Sequence, residues 1–368
     1  MNIALLCNSN AWGGLEINLY KLALWLNEEG HETLLICPAG SRVENECKEA
    51  GIIVDNIYTP YKHTNIKAVF QLKKILKDHN SKALIIGYSK DILFSVLANL
   101  LPGYHFKTIY LQQMMIGVSK KDIIHTFIYN KLNYWIAPSQ FLKETVVNNT
   151  KIKKDKIIIL PLGIELDKFL NVSETKEQLR NRFNIPQNVY LAGIIGRIDP
   201  TKGQDIFIEA IKILNQKGVY IHALIVGDNS NSAFPSFLPD LQLRIKEYGL
   251  EQQVHFIEFM KDVQLAFKVL DLYVMASTTE SFGMVTVEAM ISGVPVVGAE
   301  AAGTTSIIKD NSTGLFFENK NPASLAEKIS RLKENPDFAK QLSEAALNYA
   351  KATYSHKALC NRIIALAE

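Results

Sequence analysis

The chain has 368 residues, more than one compact domain usually needs, and 48% of them are apolar, enough to build two separate cores. Its formal net charge of +3 divides into +4 over residues 1–175 (20 Lys and Arg against 16 Asp and Glu) and −1 over 176–368 (20 against 21). An excess this small gives no ground for nucleic-acid binding, and no apolar run reaches the ~18 residues of a spanning helix.

The start, MNIALLCNSN, lacks a basic leader and reads as a buried strand, so a cytoplasmic protein, soluble or touching a membrane, is expected. From there β-branched and Leu-rich runs alternate with longer amphipathic stretches, the pattern of βα units and a parallel sheet. The strands expected are Asn2 to Cys7, Glu32 to Cys37, Lys82 to Gly87, Lys107 to Leu111, Trp135 to Ala137 and Ile157 to Leu160. The helices between them are Glu16 to Glu29, Ile66 to His79, Ile92 to Leu101, Ile123 to Leu132 and Phe141 to Asn148. Lys62, Lys67, Lys73, Lys74, Lys77 and Lys82 crowd one short segment. It is either a solvated helix face or a contact with anionic lipid or a phosphorylated acceptor.

The rhythm stalls between Pro161 and Asn188, which places a domain boundary there, at 175/176. It then restarts with strands Val189 to Ile195, Ile221 to Val226, Val254 to Ile257, Leu272 to Met275, Val294 to Val297 and Gly314 to Phe316. Helices Asp205 to Gln216, Leu238 to Tyr248, Val263 to Lys268, Phe282 to Ser292, Thr304 to Ile308 and Pro322 to Lys333 alternate with them, and the chain ends in helices from Asp337. Two doubly wound α/β domains follow, with a ligand cleft between the carboxyl ends of their sheets. The four cysteines, Cys7, Cys37, Cys47 and Cys360, lack zinc-site spacing and are expected to be reduced and buried.

Three segments carry candidate chemistry. In ASTTESFGMVTVEAMISGVPVV, Glu280 follows a strand and Glu288 lies ~8 Å further along the next helix if that helix starts near Gly283. Two carboxylates so placed can reach two polyol groups of one ligand, while the backbone N–H groups of Phe282, Gly283 and Met284 face a diphosphate. A capping Glu280 and a surface-paired Glu288 are the alternative. In GIIGRIDPTKGQD, Arg197 and Lys202 suit phosphate oxygens and can neutralise a departing diphosphate as Mg²⁺ does elsewhere, unless they are ordinary loop charges. In NAWGGLEIN, Gly13 and Gly14 allow close backbone approach to a ligand, though a plain βα turn has the same composition. Glu16 is either a helix cap or an acceptor ligand.

Taken together, GGLE, WIAPSQFLKE, ILPLGIELDKF, GRIDPTKGQD, LIVGDN, ESFGMVTVE and SGVPVV resemble the retaining glycosyltransferases of the GT-B fold, specifically the family 4 group that includes bacterial lipopolysaccharide and mannosyl transferases. The resemblance covers nearly the whole chain. It implies two Rossmann-like domains, an acceptor side over 1–175 rejoined by a C-terminal helix at about 353–368, and a donor side over 176–352. It implies that Arg197 and Lys202 grip the donor diphosphate, Glu288 binds the donor ribose, and Glu280 holds the transferred sugar, with Phe282, Gly283 and Met284 lining the diphosphate. Gly13 and Gly14 then lie at the junction of donor and acceptor.

Where the family commonly carries a His after the fourth expected strand, this chain has Gln113, which cannot carry a proton near neutral pH. The departure bears on rate or acceptor choice more than on reaction type. The resemblance further implies a UDP- or GDP-sugar co-substrate, no metal and no other cofactor. It also implies a glycan or lipid-linked acceptor of polysaccharide or lipopolysaccharide synthesis, work in the cytoplasm or at the inner face of the membrane, and no nucleic acid. The competing expectations are a GT-B epimerase or phosphorylase and a non-catalytic sugar-nucleotide-binding subunit.

Overall fold

A computed structural model describes residues 1–57, 65–228 and 234–368. The chain divides into two compact units, Met1–Gly163 with His356–Glu368, and Ile164–Ser355. The junction, between Gly163 and Ile164 within the PLGI segment, thus falls before the 175/176 boundary expected from the sequence.

In the first unit, strands β1 (Asn2–Leu6), β2 (Glu32–Cys37), β3 (Ile53–Asn56), β4 (Ala83–Ile86), β5 (Lys107–Leu111), β6 (Tyr134–Ala137) and β7 (Ile157–Ile159) form one sheet. The helices between them are α1 (Gly14–Glu28), α2 (Arg42–Glu49), α3 (Ile66–Asp78), α4 (Asp91–Leu100), α5 (Ile123–Lys131) and α6 (Gln140–Asn149). All pairings are parallel and the order is β3-β2-β1-β4-β5-β6-β7, so the winding reverses between β1 and β4. The central strands are apolar on both faces because helices cover both; Ile3 to Leu6 and Ala83 to Ile86 are wholly buried. Sequence reading missed α2 and β3, an edge pair whose residues are mostly polar or half-exposed. The C-terminal helix His356–Ala367 packs on α1, with His356 beside the Trp25 ring.

The second unit repeats the plan. Strands β8 (Leu191–Ile195), β9 (His222–Val226), β10 (Val254–Ile257), β11 (Leu272–Met275), β12 (Val296–Ala299) and β13 (Leu315–Phe317) run in the order β10-β9-β8-β11-β12-β13, again all parallel. Its reversal lies between β8 and β11. Helices α7 (Leu166–Leu170) and α8 (Lys176–Arg182) occupy the stretch read from sequence as irregular; Thr175 and Gln178 cap α8 reciprocally. Then come α9 (Gln204–Gln216), α10 (Phe237–Glu247), α11 (Gln264–Val269), α12 (Met284–Ile291), α13 (Pro322–Glu334) and α14 (Pro336–Thr353). Buried Arg180 of α8 ties this entry segment to the sheet through Asp271 Oδ2 at 2.8 Å.

The four cysteines are free and buried, and burial pushes every one of their thiols up. Of the lysine-rich segment, Lys62 lies outside the described residues. Lys73 is not solvated but buried, its ammonium on the Leu101 carbonyl oxygen. Among the described residues no helix is long and apolar enough to cross a membrane.

Candidate active site

Doubly wound sheets bind ligands beyond the carboxyl ends of their strands at the point of reversal. In the second unit that point lies between the loop after β8, which carries Arg197 and Lys202, and the loop after β11, which carries Glu280. The structure brings two of these side chains together: Lys202 Nζ donates to Glu280 Oε2 at 2.6 Å, both groups about one quarter exposed.

The β8 loop is held from inside by Asp199, a residue the sequence reading passed over. Its carboxylate is buried, accepts from the backbone N–H and hydroxyl of Thr201, and has Arg197 Nη2 at 3.4 Å from its second oxygen. The Asp-Pro-Thr spelling of an Asx turn was the available signal. Gln204 donates to the Arg197 carbonyl oxygen, and Thr278 N–H donates to the Thr201 carbonyl oxygen, so the β8 and β11 loops are joined through backbone. Gly203 completes the join: it adopts φ +76°, and a Cβ there would stand 2.3 Å from the Ala276 carbonyl oxygen. No side chain fits.

Helix α12 begins at Met284, two residues later than expected, with Gly283 as its N-cap at φ +93°. A Cβ on Gly283 would lie 3.2 Å from Glu280 Cγ and 3.6 Å from Thr286 Oγ1, so glycine keeps the helix start open beside Glu280. The N–H groups of Gly283 and Met284 belong to this positive helix end. Phe282 turns its ring inward against Tyr354, which leaves its backbone as the part a ligand could meet. The Glu280 carbonyl oxygen accepts from Gly303 N–H, fixing the loop from the other side. Glu280 and Glu288 act on one buried group. Burial first, then the charges of Glu280 and Glu288, push the Tyr273 phenol well above its ordinary range.

The first unit holds the remaining candidates at the carboxyl ends of β1 and β5. Gly13 N–H donates to Glu16 Oε2 at 3.0 Å, so Glu16 caps α1, and its carboxylate is buried in that role. Gly14 opens the helix. Gln113 is engaged at both ends of its amide: Oε1 accepts from Asn18 Nδ2 at 2.8 Å and Nε2 donates to the Leu15 carbonyl oxygen at 3.2 Å. It therefore braces α1 against the β5 loop. Across the reversal point, buried Asp91 of α4 accepts from Asn8 N–H, another tie the sequence reading missed. Among the described residues no cluster of three or more His, Cys, Asp or Glu is placed to hold a metal ion.

Two family models match the chain: Glycosyltransferase Family 4 over residues 12–168 and Glycosyl transferases group 1 over residues 175–349. Mannosylfructose-phosphate synthase of Agrobacterium fabrum is 27% identical over 255 residues, 68% of this chain and 56% of that protein. The chain spans about half the length of the curated relatives it matches. Among solved structures, Anabaena Alr3699/HepE in complex with UDP superposes with a TM-score of 0.87 at 21% identity, covering 99% of this chain and 98% of that one. A glycosyltransferase from Rickettsia africae ESF-5 gives 0.88 at 22% identity, covering 100% and 97%. At such identity these structures speak to the fold, and the fold is GT-B, with two parallel-sheet α/β domains.

Proposed function

We propose that this chain, which belongs to the group 1 glycosyl transferases, is an enzyme that moves a sugar from a nucleotide-diphosphate donor to an acceptor hydroxyl with retention of anomeric configuration. The observation that carries the reading is the Lys202–Glu280 contact at the reversal point of the second sheet, with the open N-terminus of α12 beside it. A diphosphate is bound by cations and helix N–H groups, and a sugar by carboxylates that accept from its hydroxyls. Both kinds of group stand side by side here.

In this reading Arg197 and Lys202 take the growing charge of the departing diphosphate, the task a divalent metal performs elsewhere. Glu280 holds the transferred sugar, Glu288 the ribose, and the N–H groups of Phe282, Gly283 and Met284 the phosphates. The leaving phosphate accepts the acceptor's proton on the face it departs from. No side-chain base is then required, and Gln113, braced against α1, holds Leu15 and Asn18 in place. UDP is the favoured nucleotide, supported by the UDP bound to the Anabaena structure and the UDP-glucose bound to another structure of that protein. The acceptor is a glycan or lipid-linked intermediate of polysaccharide or lipopolysaccharide synthesis, met at the inner face of a membrane, with Gly13 and Gly14 beside it.

The test is calorimetry with UDP. Each charged hydrogen bond to phosphate contributes about 1.5–3 kcal/mol, so Arg197→Ala with Lys202→Ala should weaken UDP binding at least ~100-fold. Unchanged affinity in that double variant defeats the phosphate clamp. A second reading, a sugar-nucleotide-binding subunit without turnover, draws on Gln113 standing where a His is common. Release of UDP from UDP-sugar in the presence of acceptor rules it out.

A further inference from the structure

One surface of the first unit is apolar where nothing in that unit covers it. Met114, Met115 and Val118 in the loop after β5, and Ile123, Ile124 and Phe127 on α5, are all exposed, from 40% at Met115 to 88% at Ile123. Contiguous exposed side chains of this size mark an interaction site, whereas scattered ones do not. Helix α5 shows how the exposure arises. Its inner face is anchored by buried Ile128 and by Tyr129, whose ring meets Trp135 edge-on at 5.1 Å, and Asp122 caps its start. Ile123, Phe127 and Lys131, each four residues apart, then form an outward stripe, with Lys131 Nζ 5.3 Å from the Phe127 ring centre.

The rim of this surface is basic. Lys120 and Lys121 precede the helix, and Lys120 N–H donates to the Asn149 carbonyl oxygen, which brings the segment after α6 alongside. Asn130 of α5 holds that segment through the Lys151 carbonyl oxygen and Lys153 N–H. Lys151, Lys153 and Lys154 are exposed there, and Lys156 follows them with its ammonium on the Asn130 and Leu132 carbonyl oxygens. Residues 114–131 and 149–156 together carry seven lysines against Asp122 and Asp155.

We propose that this surface docks the protein on an anionic phospholipid membrane, the apolar stripe entering the headgroup boundary and the lysines meeting lipid phosphates. An apolar face rimmed by lysine is the composition of an interfacial helix, and each lysine near an anionic surface adds to the attraction. A second copy of the chain fits worse, because the two positive rims would repel. The proposal sharpens the membrane contact included in the proposed function and places it on α5 and its flanks, not on the lysine segment before β4. The patch begins one residue after Gln113, so docking brings the β5 loop to the lipid surface.

The experiment is co-sedimentation of the full chain with vesicles of phosphatidylglycerol and phosphatidylcholine, against vesicles of phosphatidylcholine alone, with UDP calorimetry in parallel. The wild type should bind the anionic vesicles preferentially and lose binding as salt rises. Ile123→Ser with Ile124→Ser and Phe127→Ser should cut anionic binding ~10-fold or more while leaving UDP affinity unchanged. Lys151→Glu with Lys153→Glu and Lys154→Glu should remove the preference for anionic lipid. Wild-type binding by both triple variants overturns the proposal. So does failure of the wild type to sediment with anionic vesicles, or a wild-type dimer in light scattering that the serine variant dissociates. Failure of the wild type to bind UDP in the parallel measurement would count against the transfer reading and not against this one.

Discussion

Replacing Glu280 by Gln should tighten the binding of UDP without tightening that of UDP-sugar, two different outcomes from one change of charge. Lys202 is occupied by Glu280 at 2.6 Å, so a diphosphate that recruits the ammonium must draw it from a carboxylate. A hydrogen bond with a charged partner is worth about 1.5–3 kcal/mol, and the Gln oxygen keeps part of it, leaving about 1 kcal/mol released to the phosphate. That corresponds to roughly fivefold tighter UDP. The sugar loses a charged acceptor and keeps a neutral one, a cost of the same order or larger, so UDP-glucose should bind no more tightly than to the wild type. If the interaction strengthens as the sugar bond breaks, turnover should fall by ~100-fold or more. Calorimetry with both ligands and a steady-state assay of UDP release measure all three quantities. UDP binding that weakens in Glu280→Gln, or both ligands moving in the same direction by the same factor, would refute the competition between carboxylate and diphosphate.

Gly203→Ala should cost about 2–4 kcal/mol, from ~1 kcal/mol for a side chain in the left-handed region and the remainder for a Cβ against the Ala276 carbonyl oxygen. Scanning calorimetry should show a drop of roughly 5–10 °C; a shift under about 1 °C would mean the two loops are not tightly joined. Burial holds His222 and His255 below the ordinary range, His255 further so through its neighbour, and the rings stack with nitrogens 2.9 Å apart. Because the folded pKa is depressed, their contribution to stability is complete above ~6.5, the unfolded value, and is lost as pH falls through the folded one. Melting temperature should therefore decline on acidification below ~6.5, and His255→Gln should flatten that decline; an unchanged slope counts against the pair as its source. Chelators should leave sugar transfer unchanged, since Arg197 and Lys202 are proposed to do the work of a metal; activity restored only by a divalent cation would reverse that assignment.

The alternation of apolar runs and amphipathic stretches was legible because strands covered on both faces must be apolar throughout, as in Ile3 to Leu6 and Ala83 to Ile86. Where a strand sits at an edge the same rule gives no signal. β3 is IVDN, none of its residues is fully buried, and it was missed together with the polar helix α2 that leads to it. Helices α7 and α8 were lost in the charged stretch before Asn188 for another reason. α7 is a single turn, while the Thr-x-x-Gln spacing that starts α8 was present and unread.

The site divides along a similar line. Gly283 was placed at a helix start from its spacing, but the left-handed backbone that it and Gly203 share, which favours glycine, was not read from the sequence. Asp199 was only half legible: Asp-Pro-Thr spells the turn, but an Asp in a turn looks alike whether it faces water or organises a loop from inside, and only packing separates the two. Gln113 shows the converse. Its position after a strand pointed to a substrate, yet its amide is spent on Asn18 and Leu15, bonds to a helix almost a hundred residues earlier in the chain. A polar residue at the carboxyl end of a strand can thus serve a ligand or the scaffold that holds the ligand's loop. What decides is where its donors and acceptors are engaged: Gln113 uses each end of its amide on α1, whereas Lys202 holds Glu280 only until a stronger anion competes for its ammonium.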